Sequence, residues 1–199
     1  MQLTFLGTSA GSPSKHRNVT AAVIKLADSK HWCLVDCGEG TQQQLIKTKL
    51  SPPKLSAIFI THVHGDHCYG LPGLLSTMAM MGRKDPLTIL APKAIEEWIL
   101  STQKLTDAHQ GYEINFIAVE DFQGSLELDD FTINSIELSH RVPSFAYAFT
   151  EKKRSIGLNA DRLQQPIRIA SLATMLIQQI LSKQRHRTPS STLRTPTHP

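Results

Sequence analysis

Within the six residues His62-Val63-His64-Gly65-Asp66-His67 the chain places three imidazoles and one carboxylate. An apolar run, Leu55-Ser56-Ala57-Ile58-Phe59-Ile60-Thr61, leads straight into them and ends in a β-branched pair. Such a run reads as a buried strand. Any fold that accepts this stretch must bury that strand and open its end onto a loop crowded with metal-ligating groups. Imidazole and carboxylate donors suit zinc, iron or manganese, and the close spacing lets one loop reach two ions. His62 and His64 leave the strand end on the same side and can share one metal. Asp66 and His67 lie beyond Gly65, which permits a sharp turn, and can serve a second ion.

The 199 residues suffice for one domain with a sizeable core. No apolar run reaches membrane-spanning length, and Met1-Gln2-Leu3-Thr4-Phe5-Leu6 reads as a strand rather than a signal segment. A cytoplasmic chain with no membrane partner is expected. Three cysteines, Cys33, Cys37 and Cys68, agree with a reducing compartment. Cys33 and Cys37 lie four apart on one extended segment, too far to bridge. Cys68 is read as a buried thiol rather than a ligand, because His67 already fills the adjacent role.

The formal charge of +4 is unevenly placed. Residues 1–165 hold 16 basic and 17 acidic residues, whereas residues 166–199 hold 5 basic and none acidic. The body therefore has no strong overall field for nucleic acid, and RNA binding must come from local patches.

Along the chain, strands are expected at residues 2–6, 20–26, 31–36, 55–61, 87–90, 114–119, 126–128, 131–138 and 145–149, with Ala27-Asp28-Ser29-Lys30 as a hairpin turn. Helical patterns cover residues 40–50, 70–81 and 93–102, the first stopping before Pro52-Pro53 and the second at Gly82. Leu71, Leu74, Leu75 and Met78 form a core-facing stripe. Runs of strands with interspersed helices imply α/β sheet layers with helices outside. Gly7-Thr8-Ser9-Ala10-Gly11-Ser12-Pro13-Ser14 is either a tight strand-end turn or an anion-binding loop, and His16 and Arg17 beside it either contact phosphate or are solvated. The strand at 131–138 delivers Ser139-His140-Arg141 at its end.

With its flanks, the histidine cluster resembles the H-x-H-x-D-H signature of the metallo-β-lactamase superfamily. Phe5-Leu6-Gly7-Thr8-Ser9-Ala10-Gly11-Ser12-Pro13, Asp36-Cys37-Gly38-Glu39-Gly40-Thr41-Gln42 and Gly65-Asp66-His67-Cys68-Tyr69-Gly70-Leu71-Pro72-Gly73-Leu74 look like ribonuclease Z, as does His140-Arg141-Val142-Pro143-Ser144. The resemblance covers about residues 1–165. It implies an αββα sandwich, two zinc ions per subunit, a homodimer, and endonucleolytic removal of the 3′ trailer from precursor tRNA. Carried over to this chain, it implies that His62, His64 and His140 hold one zinc. Asp66 and His67 contribute to the second, with Asp66 also the proton acceptor. Two other readings stand beside it: a general zinc phosphodiesterase or hydrolase of the superfamily, and a non-catalytic remnant.

The family pattern also asks for a metal-bridging aspartate and a late histidine after His140. The last acidic residue is Asp161, in Asn159-Ala160-Asp161-Arg162-Leu163, and His186 and His198 lie in a basic polar stretch. A domain of residues 1–165, incomplete at its C-terminus, is therefore expected, followed by an atypical basic tail over 166–199. That tail is read as a helix over 167–181 and then a disordered Thr/Pro/Ser-rich end. On this reading the second metal site is incomplete and the activity impaired.

Overall fold

The structure, a computed structural model, describes residues 1–152. Among them, one sheet has the order β1 (Gln2–Gly7), β2 (Ala21–Lys25), β3 (Trp32–Val35), β4 (Leu55–Phe59), β5 (Leu87–Ala91) and β6 (Ile114–Ala118). A second sheet holds β7 (Leu126–Glu127), β8 (Phe131–Leu138) and β9 (Ser144–Glu151). The pairs β1–β2 and β2–β3 are antiparallel, the turn at Ala27-Asp28-Ser29-Lys30 between β2 and β3 falling where expected, and β3 through β6 run parallel. Parallel neighbours need crossovers. These are made by α1 (Thr41–Ile46), by α2 (Gly65–Cys68) with α3 (Leu71–Met80), and by α4 (Lys93–Leu105).

Alternation along the strands divides the apolar residues between two cores. Val23, Leu34, Ile58, Ile89 and Ile60 face Leu71, Leu74, Met78, Ile95 and Ile99 of the helices. Ile24, Val35, Phe59 and Leu90 face Phe131, Ile133, Phe145, Tyr147 and Phe149 of the second sheet. The described residues are thus layered helix, sheet, sheet. The stripe Leu71, Leu74, Leu75, Met78 is core, as its spacing predicts. In β4 the register slips: Trp32 pairs with Leu55, but Cys33 pairs with Ala57, leaving Ser56 as an extra residue. This bulge lets Leu55 and Ile58, three apart, share the helix side.

Three expectations need correction. The helical pattern over 40–50 closes at Ile46, because Thr48 Oγ1 bonds the Leu45 carbonyl (2.8 Å) and accepts from Leu50 N–H (3.1 Å), competing with the helical ladder. The strand expected at 145–149 extends over Ser144–Glu151, paired along its length with β8. Residues 65–68 form a short helix rather than a sharp turn, and Gly65 is not among the residues with positive φ. A Cβ there would press on the Tyr69 ring, which is exposed and would have to swing aside.

The boundary at residue 165, the helix over 167–181, the tail over 185–199, and Asp161, His186 and His198 all lie outside the described residues. Among the described residues no helix is long and apolar enough to cross a membrane.

Candidate metal centre

β4 and the parallel strands beside it end at one edge of the first sheet. Past Phe59, Ile60 N–H still reaches the Leu90 carbonyl at 3.1 Å, but Thr61 N–H turns to the Asp36 carboxylate at 2.8 Å. His62 follows, buried, then exposed Val63, half-buried His64 and α2. His140 reaches the same place from the exposed turn between β8 and β9. One ligand atom from each of His62, His64 and His140 lies within 4.8 Å of the others. Ring centroids are 4.8 Å apart for His62–His64, 5.4 Å for His62–His140 and 5.8 Å for His64–His140. Two strand ends of different sheets thus supply three convergent imidazoles.

Electrostatics keeps His62 in the form a metal requires. Burial first, then the neighbouring His67, His64 and His140, lowers the His62 pKa from 6.5 to about 3. Its ring is neutral at physiological pH, with a lone pair to offer.

The tautomers follow from the bonds behind the rings. Asp36 is almost fully buried and sits at φ 59°, a left-handed conformation uncommon outside glycine. Its Oδ2 accepts from Thr61 Oγ1 (3.1 Å) and from His67 Nδ1 (2.7 Å). With its single proton given to Asp36, the Thr61 hydroxyl accepts from His62 Nδ1 at 2.9 Å. Both His62 and His67 therefore hold their proton on Nδ1 and present Nε2 outward. This is the carboxylate-behind-imidazole pattern that orients metal ligands. His67 Nε2 lies 3.5 Å from Asp66 Oδ2, and the His62 and His67 ring centroids are 4.0 Å apart.

Asp66 is anchored twice by the loop between β1 and β2. Its Oδ2 accepts from Gly11 N–H at 2.6 Å, and its main-chain carbonyl accepts from Thr20 N–H at 3.1 Å. Backbone bonds Cys37 N–H to His67 O (2.7 Å) and Gly70 N–H to Cys37 O (2.9 Å) strap α2 against residues 37–38. The approach is close enough that a Cβ on Gly38 would meet the Asp66 carbonyl at 2.4 Å. Glycine at 38 is what allows that contact.

Every ligand residue singled out from sequence lies in this region, and the three histidines converge. Cys68 is buried, its thiol reaching the Val63 carbonyl at 3.6 Å, and burial pushes it up to about 12, so it behaves as a packed thiol. Cys33 and Cys37 are free and belong to opposite cores. Sequence reasoning gave Asp36 no role. Its only local signal was an acidic residue closing an apolar strand. The loop at residues 7–18 borders a cleft of about 360 Å³ lined by Lys15, His16, Arg17, Asn18, Gln44 and Lys47, and the same loop donates Gly11 N–H to Asp66.

A family model described as Anti-Pycsar protein Apyc1 matches residues 1–191. Ribonuclease Z of Pseudomonas putida (strain W619) is 49% identical over 163 residues, covering 82% of this chain and 50% of that protein. Human tRNase Z, short form, superposes with a TM-score of 0.67 at 33% identity, covering 77% of this chain and 66% of that one. The metallo-β-lactamase fold protein YhfI from Bacillus subtilis gives a TM-score of 0.58 at 25% identity, with 74% and 58% covered. The chain spans about half the length of the curated relatives it matches.

Proposed function

Because this chain belongs to the family of the anti-Pycsar protein Apyc1 and carries the metallo-β-lactamase fold of ribonuclease Z, we propose that it is a zinc-dependent endoribonuclease that removes the 3′ trailer from precursor tRNA. The convergence of His62, His64 and His140 beside Asp66 carries the reading. Three convergent imidazoles suit zinc, so His62, His64 and His140 hold one ion, and Asp66 and His67 contribute to a second. When bound, the metal supplies Lewis acidity toward a phosphoryl oxygen and brings water nearer to ionisation at neutral pH.

The protein's own groups do the rest. Asp66, held by Gly11 N–H, is the carboxylate placed to take the proton from the attacking water. Asp36 keeps the His62 and His67 rings in the tautomer that points Nε2 into the site. Lys15, His16, Arg17 and Lys47 line the cleft beside the loop that touches Asp66, a local cationic patch for an RNA backbone. Ile46, Met80 and Met81 are exposed apolar side chains on or just after α1 and α3, which suits a homodimer. Three buried free thiols suit a reducing, cytoplasmic setting.

The test is cleavage of a precursor tRNA by the purified chain with zinc or manganese added, with zinc counted per chain. Cleavage leaving a 3′-hydroxyl, with Asp66→Ala losing far more turnover than RNA affinity, is expected. Near-normal turnover in that variant removes Asp66 from the mechanism. The same assay separates a second reading, a general zinc phosphodiesterase or other hydrolase of the superfamily. Hydrolysis of a small diester with no cleavage of precursor tRNA would establish it. One zinc or none, with neither activity, would leave a non-catalytic remnant.

A further inference from the structure

We infer that Tyr147 is a positioning residue that sets the reach of His140 toward His62 and His64. The inference rests on the metal reading above. His62 and His64 belong to the end of β4 in the first sheet, and His140 to the turn before β9 in the second. Something must hold the two sheets at one separation at this edge, or the three ligand atoms will not share an ion. Two contacts do so. Phe145 N–H donates to the Thr61 carbonyl at 2.9 Å. The Tyr147 hydroxyl donates toward the Ile60 carbonyl at 2.7 Å, with the Leu90 carbonyl at 3.2 Å. The acceptors Ile60 and Thr61 immediately precede His62, and the donors Phe145 and Tyr147 lie in the first half of β9, the strand that follows the His140 turn.

These carbonyls are buried beyond the last paired residue of β4, so water cannot serve them. Tyr147 is itself fully buried, and its ring rests on Phe59 with centroids 5.2 Å apart. The ring fixes the hydroxyl, and the hydroxyl fixes the β4 end against β9. Tyr112 is a comparator inside the same chain. It is also buried and its hydroxyl donates to the Leu75 carbonyl at 3.1 Å, but it belongs to the helix-side core. Losing either hydroxyl removes a buried bond. Only Tyr147 should move the metal site.

The experiment titrates cobalt(II), read by its absorption bands, into the wild-type chain and into Tyr147→Phe, Tyr112→Phe, His140→Ala and Tyr147→Phe/His140→Ala. We expect Tyr147→Phe to weaken binding by roughly 10–100-fold, the range for groups that orient metal ligands. Tyr112→Phe should bind as the wild type does. In the His140→Ala background the Tyr147 change should have little further effect, since its role runs through His140. Equal binding by Tyr147→Phe and the wild type, or an undiminished loss without His140, overturns the inference while leaving the metal reading intact. No cobalt binding by the wild type overturns both. Should Tyr147→Phe not fold, hydrogen exchange of the wild type decides. Protection of the Phe145 amide should rise at least about tenfold with metal, the sheets being drawn together. Unchanged protection overturns the inference.

Discussion

At the start of β4 the buried Arg83 guanidinium donates to the carbonyls of Leu55 (2.7 Å), Pro53 (3.1 Å), Asp85 (2.7 Å) and Pro86 (2.7 Å), and lies over the Tyr112 ring at 5.3 Å. At the far end of the same strand, Asp36, Thr61, His62 and His67 form a buried network that finishes in imidazole nitrogens turned outward. Both ends bury polar groups beside an apolar strand, yet they differ in what they leave open. Arg83 spends its donors on main-chain carbonyls contributed by residues 53–86. Its end is saturated, and it ties α3 to the beginnings of β4 and β5. The histidine end gathers groups from both sheets and brings three imidazoles together at one place. A saturated cluster contributes stability, whereas convergent lone pairs create an affinity. The geometry of bonding separates a structural cluster from a functional one better than burial does.

Four measurements bear on that contrast, in falling order of expected effect. His64→Ala should abolish most metal binding while barely touching the Arg83 end. Unchanged zinc content in the purified variant would break the assignment of this end as the metal site. Arg83→Met should cost about 3 kcal/mol or more of folding stability, because several buried carbonyls lose their donor at once. Denaturant midpoints would show this, and the folded fraction should keep the metal affinity of the wild type. A loss of affinity in the folded variant would mean the two ends are not independent.

Asp36→Asn sharpens the comparison further. Asparagine tolerates the positive φ, but the neutral amide is a poorer acceptor for Thr61 and His67. Metal affinity should fall by roughly 10–100-fold, as read by competition with a chelator. The smallest effect concerns pH. In the metal-free chain the folded-state pKa of His62 lies near 3, below its ordinary 6.5. The unfolded chain takes up the proton first as pH falls, so the contribution to stability is whole above about 6.5 and is lost between there and 3. His62→Gln should flatten that part of the stability curve. The Arg83 end has no matching dependence, since arginine stays charged throughout. An unaltered curve in the variant would show that His62 is not held neutral by its surroundings.

Much of this was legible along the chain because it depends on neighbours in sequence. Apolar runs marked the strands, spacing at three and four residues marked α3, and ligand chemistry packed into residues 62–67 marked the site. Local signals misled where a nearby contact intervened. Thr48 cut α1 short through its own hydroxyl, and Gly65 was taken for a turn although residues 65–68 wind into a short helix.

Taken alone, the sequence determined which residues carry the chemistry and which segment must be a buried strand, because residue type and spacing set donor atoms and periodicity directly. The tertiary structure brings His140 to His62 and His64, as the resemblance implies, and it alone decided that Asp36 stands behind two of the rings, that Gly11 anchors Asp66, and that Tyr147 spans the two sheets. Each of these joins residues far apart in the chain, some across two sheets. Their meeting is set by how sheets stack and where strands end, and local composition carries no record of that separation.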